Sequence, residues 1–210
     1  MGSLFGRIKE QLKSTVDHVA GELSAQRHYD RARKLLQEGL DRAVAREIVA
    51  ELEPTVHVDS NFKACVHYLL AQAYPVLGEP DRALEHLEKA LEYLYDPTER
   101  HYHERRIAED FGMPVEDLMG EIHAEMAHHY FRQGQFRKAI HHAQEATQLN
   151  RFNLTAYYFW GASLLRLGLP PQEAFEVFMR ALPLDKGGIV EGWVEELLPD
   201  YLERVRLMRR

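Results

Sequence analysis

Three glycines, Gly78, Gly134 and Gly168, stand at the same point of a recurring pattern of small and large residues. Tyr74 and Tyr130 lie four residues before their glycine, with Leu164 in the third copy. Ala71, Ala127 and Gly161 lie seven before it. Ala83 and Ala139 follow five residues after the glycine; Ala174 follows six after, because Pro170-Pro171 lengthens the third turn by one. Seven residues further on stand Ala90, Ala146 and Ala181. Such self-similarity marks a stacked array, in which one hairpin cannot bury its apolar face alone and packs on the next. Small side chains at helical spacing let a helix approach a neighbour on either side. Strand signals are almost absent, and helical periodicity is broken by glycine or proline every fifteen to twenty residues or so. The chain reads as all-α.

These residues resemble the tetratricopeptide repeat, a helix–turn–helix unit of roughly thirty-four residues. The copies read AQAYPVLGEPDRALEHLEKALEYLYDP (71–97), AHHYFRQGQFRKAIHHAQEATQLN (127–150) and GASLLRLGLPPQEAFEVFMRALPLD (161–185). His67, His123 and Tyr157 replace the family's early tryptophan, and its large second-helix residue is Leu87, Ala143 and Phe178. The resemblance implies a right-handed α-solenoid of three clear repeats, 64–97, 120–153 and 154–187. A degenerate repeat at 25–58 has Gly39, Ala43, Ala50 and Pro54 but lacks the small–aromatic signature. Ala83 and Ala139 are fifty-six residues apart, more than one repeat, which leaves a helical insertion at 98–119. Asp96 as N-cap with Pro97 at the first helical position would start its helix, and Gly112 and Pro114 would end it.

The ends read as helices. Leu4, Ile8, Leu12, Val16, Val19 and Leu23 form one stripe of an amphipathic segment, 1–24. Ile189, Trp193, Val194, Leu197, Tyr201, Leu202 and Val205 form another, expected as a capping helix over 188–210.

Composition removes several functions. A formal net charge of −7 argues against non-specific nucleic-acid binding. The single cysteine, Cys65, excludes an intramolecular disulfide and a cysteine-based metal site, and fits a reducing compartment. No apolar run is long enough to span a bilayer, and the N-terminus lacks a secretory signal pattern, so a soluble cytoplasmic protein is expected. No nucleophile elbow, phosphate-binding glycine loop or H-E-x-x-H motif occurs, so no catalysis and no cofactor are expected.

The stretch HHYFRQGQFRKAIHH (128–142) raises the question of a metal, because histidine pairs bracket a basic turn. Zinc needs three or four converging ligands, which helices supply best at an i, i+4 spacing. Neither condition is met here. By the resemblance, His128 faces an inner concave surface and His141 the outer one, with His129 and His142 near packing seams. Metal binding is therefore not expected.

The same resemblance places Tyr68, Gln72, Ala124, His128, Phe131, Arg132, Thr155, Tyr158, Ala162 and Arg166 on the concave groove. Tyr68, Gln72, His128, Phe131, Arg132, Tyr158 and Arg166 are the binding candidates, an aromatic and cationic set suited to a peptide or helix. The carboxylate clamp of chaperone adaptors is missing, since its places hold Tyr68, Gln72, Ala124, Glu125, Thr155 and Phe159. The function expected is a scaffold or adaptor for a protein partner. Two alternatives use the N-terminal stripe: attachment to a membrane surface, or assembly with a second copy of the chain.

Overall fold

The computed structural model describes residues 4–208, with side chains from residue 10 onward except 11 and 12. Among the described residues there are helices and no strands. The chain divides into two compact units, Met1–Glu109 and Asp110–Arg210.

The first unit holds α1 (Leu4–Glu38), α2 (Arg42–Leu52), α3 (Lys63–Leu77) and α4 (Pro80–Tyr95). Most of α5 (Arg100–Phe111) also belongs to it. From α1 to α4 each helix packs on the next, and α1 also meets α3. Asp41 starts α2 by accepting hydrogen bonds from the Ala43 and Val44 amides, both at 2.8 Å. Tyr29, Ile48, Leu52, Phe62, Leu69, Leu70, Tyr74, Leu87 and Leu94 are fully buried between these helices.

The second unit holds α6 (Val115–Arg132), α7 (Phe136–Leu149), α8 (Leu154–Arg166) and α9 (Pro171–Ala181). It ends with α10 (Ile189–Leu197) and α11 (Leu202–Met208). Successive helices again pack together, and α6 meets α8. The contact of alternate helices is what stacks one hairpin on the next.

The three glycine turns are built alike. Gly134 takes φ +75°, a left-handed conformation that a side chain resists, and Gly78 and Gly168 do the same. Its amide donates to the Phe131 carbonyl (3.0 Å), and the next amide, Gln135, donates back to Tyr130 (2.8 Å). The bonds recur as Gly78 to Pro75 with Glu79 to Tyr74, and as Gly168 to Leu165 with Leu169 to Leu164. This pairing satisfies the last carbonyls of each first helix and turns the chain into the second.

The small residues lie where helices close on one another. Ala71, Ala127, Ala83, Ala139, Ala174, Ala90, Ala146 and Ala181 are all buried. At Gly161 the fit is tightest, since a Cβ there would sit 2.2 Å from Cε1 of the Phe178 ring.

The structure departs from expectation at three places. First, α1 runs unbroken from Leu4 to Glu38, so the described part of the segment 1–24 is the front of a longer helix. Its stripe is exposed at Val16, Val19 and Leu23, whereas Leu4, Ile8 and Leu12 lie outside the described side chains. Second, α5 starts at Arg100. Asp96 instead holds a turn, accepting from the amide and hydroxyl of Thr98 at 2.8 and 2.6 Å. Gly112 and Pro114 do separate α5 from α6, but α6 begins at Val115 and absorbs the end of the expected insertion. Third, the C-terminal segment is two helices joined by a short 3₁₀ turn at Pro199–Tyr201. Pro199 lacks an amide hydrogen and disfavours helical backbone in Leu198, which breaks the helix there. The buried stripe is Val190, Val194, Leu198 and Val205, while Ile189 is half exposed.

Candidate protein-interaction surface

Helices α6 and α8 of the second unit carry a chain of aromatic rings. His128 stacks on Phe159 with centroids 4.9 Å apart. Phe131 reaches the same ring at 5.5 Å, and also meets Phe136 edge-on at 5.5 Å. Tyr158 packs edge-to-face against Phe159 at 5.1 Å and continues to Trp193 of α10 at 5.5 Å. The Arg166 guanidinium lies 5.6 Å from the Phe136 ring. Thus four candidate residues, His128, Phe131, Tyr158 and Arg166, are joined through rings that the sequence reading had not assigned to the groove: Phe159 and Phe136. Phe131, Tyr158 and Phe159 are each only partly buried, and His128, Arg132 and Arg166 are exposed.

The electrostatics suit a face that is half wet. Partial burial, then the Arg132 charge, lowers the His128 pKa below the usual imidazole value. Partial burial and the Glu196 carboxylate raise that of Tyr158, keeping its hydroxyl protonated and able to donate. An arrangement of half-exposed rings with cations and a phenol at its edge offers apolar area and directional hydrogen bonds together.

Tyr68 and Gln72 lie on α3 in the first unit, one turn apart and partly buried. Tyr68 stands ten residues before its glycine, as Tyr158 does, and Gln72 stands six before, as His128 does. Ala124 and Ala162 are corrections to the expected lining. Both are buried at 3% exposure or less, because their small side chains let neighbouring helices close over them.

The histidines resolve differently from any metal reading. His142 of α7 faces His123 of α6, Nδ1 to Nδ1 at 3.0 Å, and stacks on Tyr130 at 5.2 Å. Lys138 lies 4.9 Å over the other partner of that stack, the Tyr130 ring. Fifty-six residues earlier the same set recurs. His67 faces His86 at 2.8 Å, His86 stacks on Tyr74 at 5.3 Å, and Arg82 lies 4.1 Å over Tyr74. A nitrogen pair this close shares one proton, with one ring donating and the other accepting. Among the described residues no group of three or more histidines, cysteines or carboxylates is placed to hold a metal ion. Local spacing does not reveal these pairs, since each spans nineteen residues across a turn; their repetition at one period was the available signal. Cys65 is buried in α3.

Architecture and turn chemistry together define a helical-repeat protein, and residues 125–189 match the family model of the tetratricopeptide repeat. Two solved structures of MamA share the fold. One, a MamA mutant, is 19% identical, covers 88% of this chain and 96% of its own, and has a TM-score of 0.56. The other, MamA MSR-1, is 20% identical, covers 90% and 98%, and also has a TM-score of 0.56. At this identity the likeness is one of fold. No curated protein matches the chain. The repeats suggest a protein-interaction scaffold as the functional class.

Proposed function

We propose that the protein is a non-catalytic adaptor whose second unit captures a partner's helix or extended segment against the rings around Phe159. The observation that supports this most is the connected, half-exposed run from Phe131 and His128 through Phe159 to Tyr158. A ring already held by its neighbours loses little rotamer freedom on binding, so its contact area converts efficiently into affinity. Arg132 and Arg166 at the edge supply forked donors for a partner's carbonyls or carboxylates. Tyr68 and Gln72 hold the matching positions of the first unit and belong to the same proposal. Truncating an aromatic anchor costs about 2 kcal/mol, roughly thirtyfold in affinity. Tyr68→Ala with Tyr158→Ala is therefore expected to lose the partners that wild type enriches from host lysate, with helicity retained by circular dichroism. Undiminished capture by the double variant removes the reading.

A second reading rests on α1, where Val16, Val19 and Leu23 are exposed at 65, 46 and 58%. Among the described residues no helix is long and apolar enough to cross a membrane, so this stripe would serve an interfacial anchor or self-association. The membrane form predicts vesicle co-sedimentation that truncation of residues 1–24 abolishes. The self-association form predicts a lower mass by light scattering on the same truncation. A truncation that changes neither eliminates this reading.

A further inference from the structure

A cavity of about 430 Å³ lies in the first unit, lined by His18 and Glu22 of α1, Asp59, Ser60 and Asn61, and Thr98, Glu99 and Tyr102. It sits at the segment 98–119, which no repeat accounts for. Three of its walls are carboxylates, those of Glu22, Asp59 and Glu99. Lys63 bridges two of them, with Nζ 2.9 Å from Asp59 and 2.9 Å from Glu99. One ammonium against three carboxylates leaves the cavity negative.

Two buried polar side chains stand beside those charges. Ser60 is 8% exposed, and its hydroxyl has no hydrogen-bond partner among the described residues. His103 is fully buried, with Nδ1 2.9 Å from the Asn61 carbonyl oxygen. A carbonyl only accepts, so Nδ1 carries the hydrogen and Nε2 presents a lone pair. That Nε2 also has no hydrogen-bond partner among the described residues, lying 3.8 Å from the Glu99 carboxylate. Burial lowers the His103 pKa, which keeps the ring neutral and Nε2 an acceptor. Buried polar atoms are normally satisfied, and Ser60 is part of the cavity lining, so its unpartnered hydroxyl is one that a bound group can satisfy. His103 touches the lining residues Asn61 and Glu99 without lining the cavity itself.

The three carboxylates call for positive charge and for donors, and the Ser60 hydroxyl is able to accept one as well. A small divalent ion needs several oxygens converging within about 2.6 Å, and no such group exists among the described residues. A guanidinium carries five donors, no acceptor, and a flat face for a ring. Tyr102, 59% exposed, supplies that ring at the rim. Each carboxylate retains lone pairs beyond those used by Lys63, so Lys63 need not leave.

We propose that this cavity is a second binding site, one that accepts an arginine side chain presented by a basic peptide segment. Its residues all belong to the first unit and the ring face around Phe159 to the second, so either site can fail without the other. Amide shifts of the ¹⁵N-labelled full chain test it, with a capped peptide carrying three arginines as probe. The same peptide with citrulline is the neutral control. Saturable shifts at 59–61 and 98–103 are expected, with affinity at least tenfold weaker for citrulline. The same loss is expected for Glu22→Gln with Asp59→Asn. The Asp59 side chain is 76% exposed, so its substitution leaves the fold intact, and amides outside the cavity report that directly. Absence of saturable shifts there, equal binding of the citrulline peptide, or full binding to the double variant overturns the proposal.

Discussion

Lowering the pH from 7.5 to 4.5 is expected to cost on the order of 2–3 kcal/mol of folding stability for the first protonation of each histidine pair. His67, His123 and His142 are all held down to about 4 from the ordinary imidazole value of 6.5. His86 is shifted in the same direction. Burial is the main cause at each, followed for His67 by the facing His86, and for His123 by His142 and His141. The unfolded chain protonates these rings near pH 6.5, whereas the folded chain protonates His67, His123 and His142 only near 4. Between those values the unfolded state binds more protons, so stability is full above pH 6.5 and falls as pH approaches 4. The combined loss approaches the whole stability of a marginal domain.

The pairs differ in their surroundings. Glu53, 3.7 Å from His86 Nε2, works against the shift in the first unit, together with Glu85 near His86 and Glu92 near His67, while Arg82 and Lys89 reinforce it. In the second unit the charges acting on the pair are His141 and Lys138, both of which reinforce it. Urea midpoints across this pH range measure the effect. His123→Phe with His142→Leu is expected to remove about half of the drop. A flat midpoint between pH 7.5 and 4.5 contradicts the assignment.

The second large effect is expected at Gly161. Alanine is the better helix former by about 1 kcal/mol, so an open site would gain stability from Gly161→Ala. Here the added Cβ meets Phe178 at 2.2, 2.6 and 2.9 Å, and that ring is fully buried beside Trp193. Overpacking of this kind costs about 1–3 kcal/mol, and it outweighs the gain in propensity. The repeats show the compensation. Where the second helix carries Leu87 or Ala143 in the position of Phe178, the first helix carries Ala71 or Ala127 in place of glycine. Gly161→Ala is therefore expected to lower the melting temperature by several degrees, and Phe178→Leu added to it to restore part of the loss. Additive destabilisation by the two substitutions contradicts the proposed fit.

Much of the fold could be read because turn and crossing positions each leave one type of residue feasible. A left-handed turn selects glycine at 78, 134 and 168, and close crossings select the alanines at fixed distances from it. Helix lengths were less legible. Nothing between residues 24 and 38 breaks the helix, and Gly21, with open space around it, is tolerated inside α1. A boundary drawn where the apolar stripe ended therefore had no physical stop beneath it. The break at Pro199 was legible, and the continuous stripe drawn across it concealed the stop.

The site was visible in part. Tyr158 and His128 stood out by register, but Phe159, which joins them, was seen only as a departure from a clamp. Side chains one residue apart on a helix point in different directions, so sequence alone does not show that Tyr158 packs on Phe159 while His128 and Phe131 reach the same ring from α6. The histidine pairs escaped for the same reason. Their members approach through the fold of the hairpin, and no local spacing encodes that approach.

The central claim is that the rings around Phe159 receive the partner, and a photoreactive side chain tests it most directly. Benzoylphenylalanine placed at 128, beside Phe159, is compared with the same residue at 141, where the side chain is also exposed. Both proteins are irradiated in host lysate and the crosslinked partner is identified by mass spectrometry. The account predicts a specific crosslink from position 128 that Tyr158→Ala weakens, and none from 141. A partner crosslinked from 141 and not from 128 would contradict it.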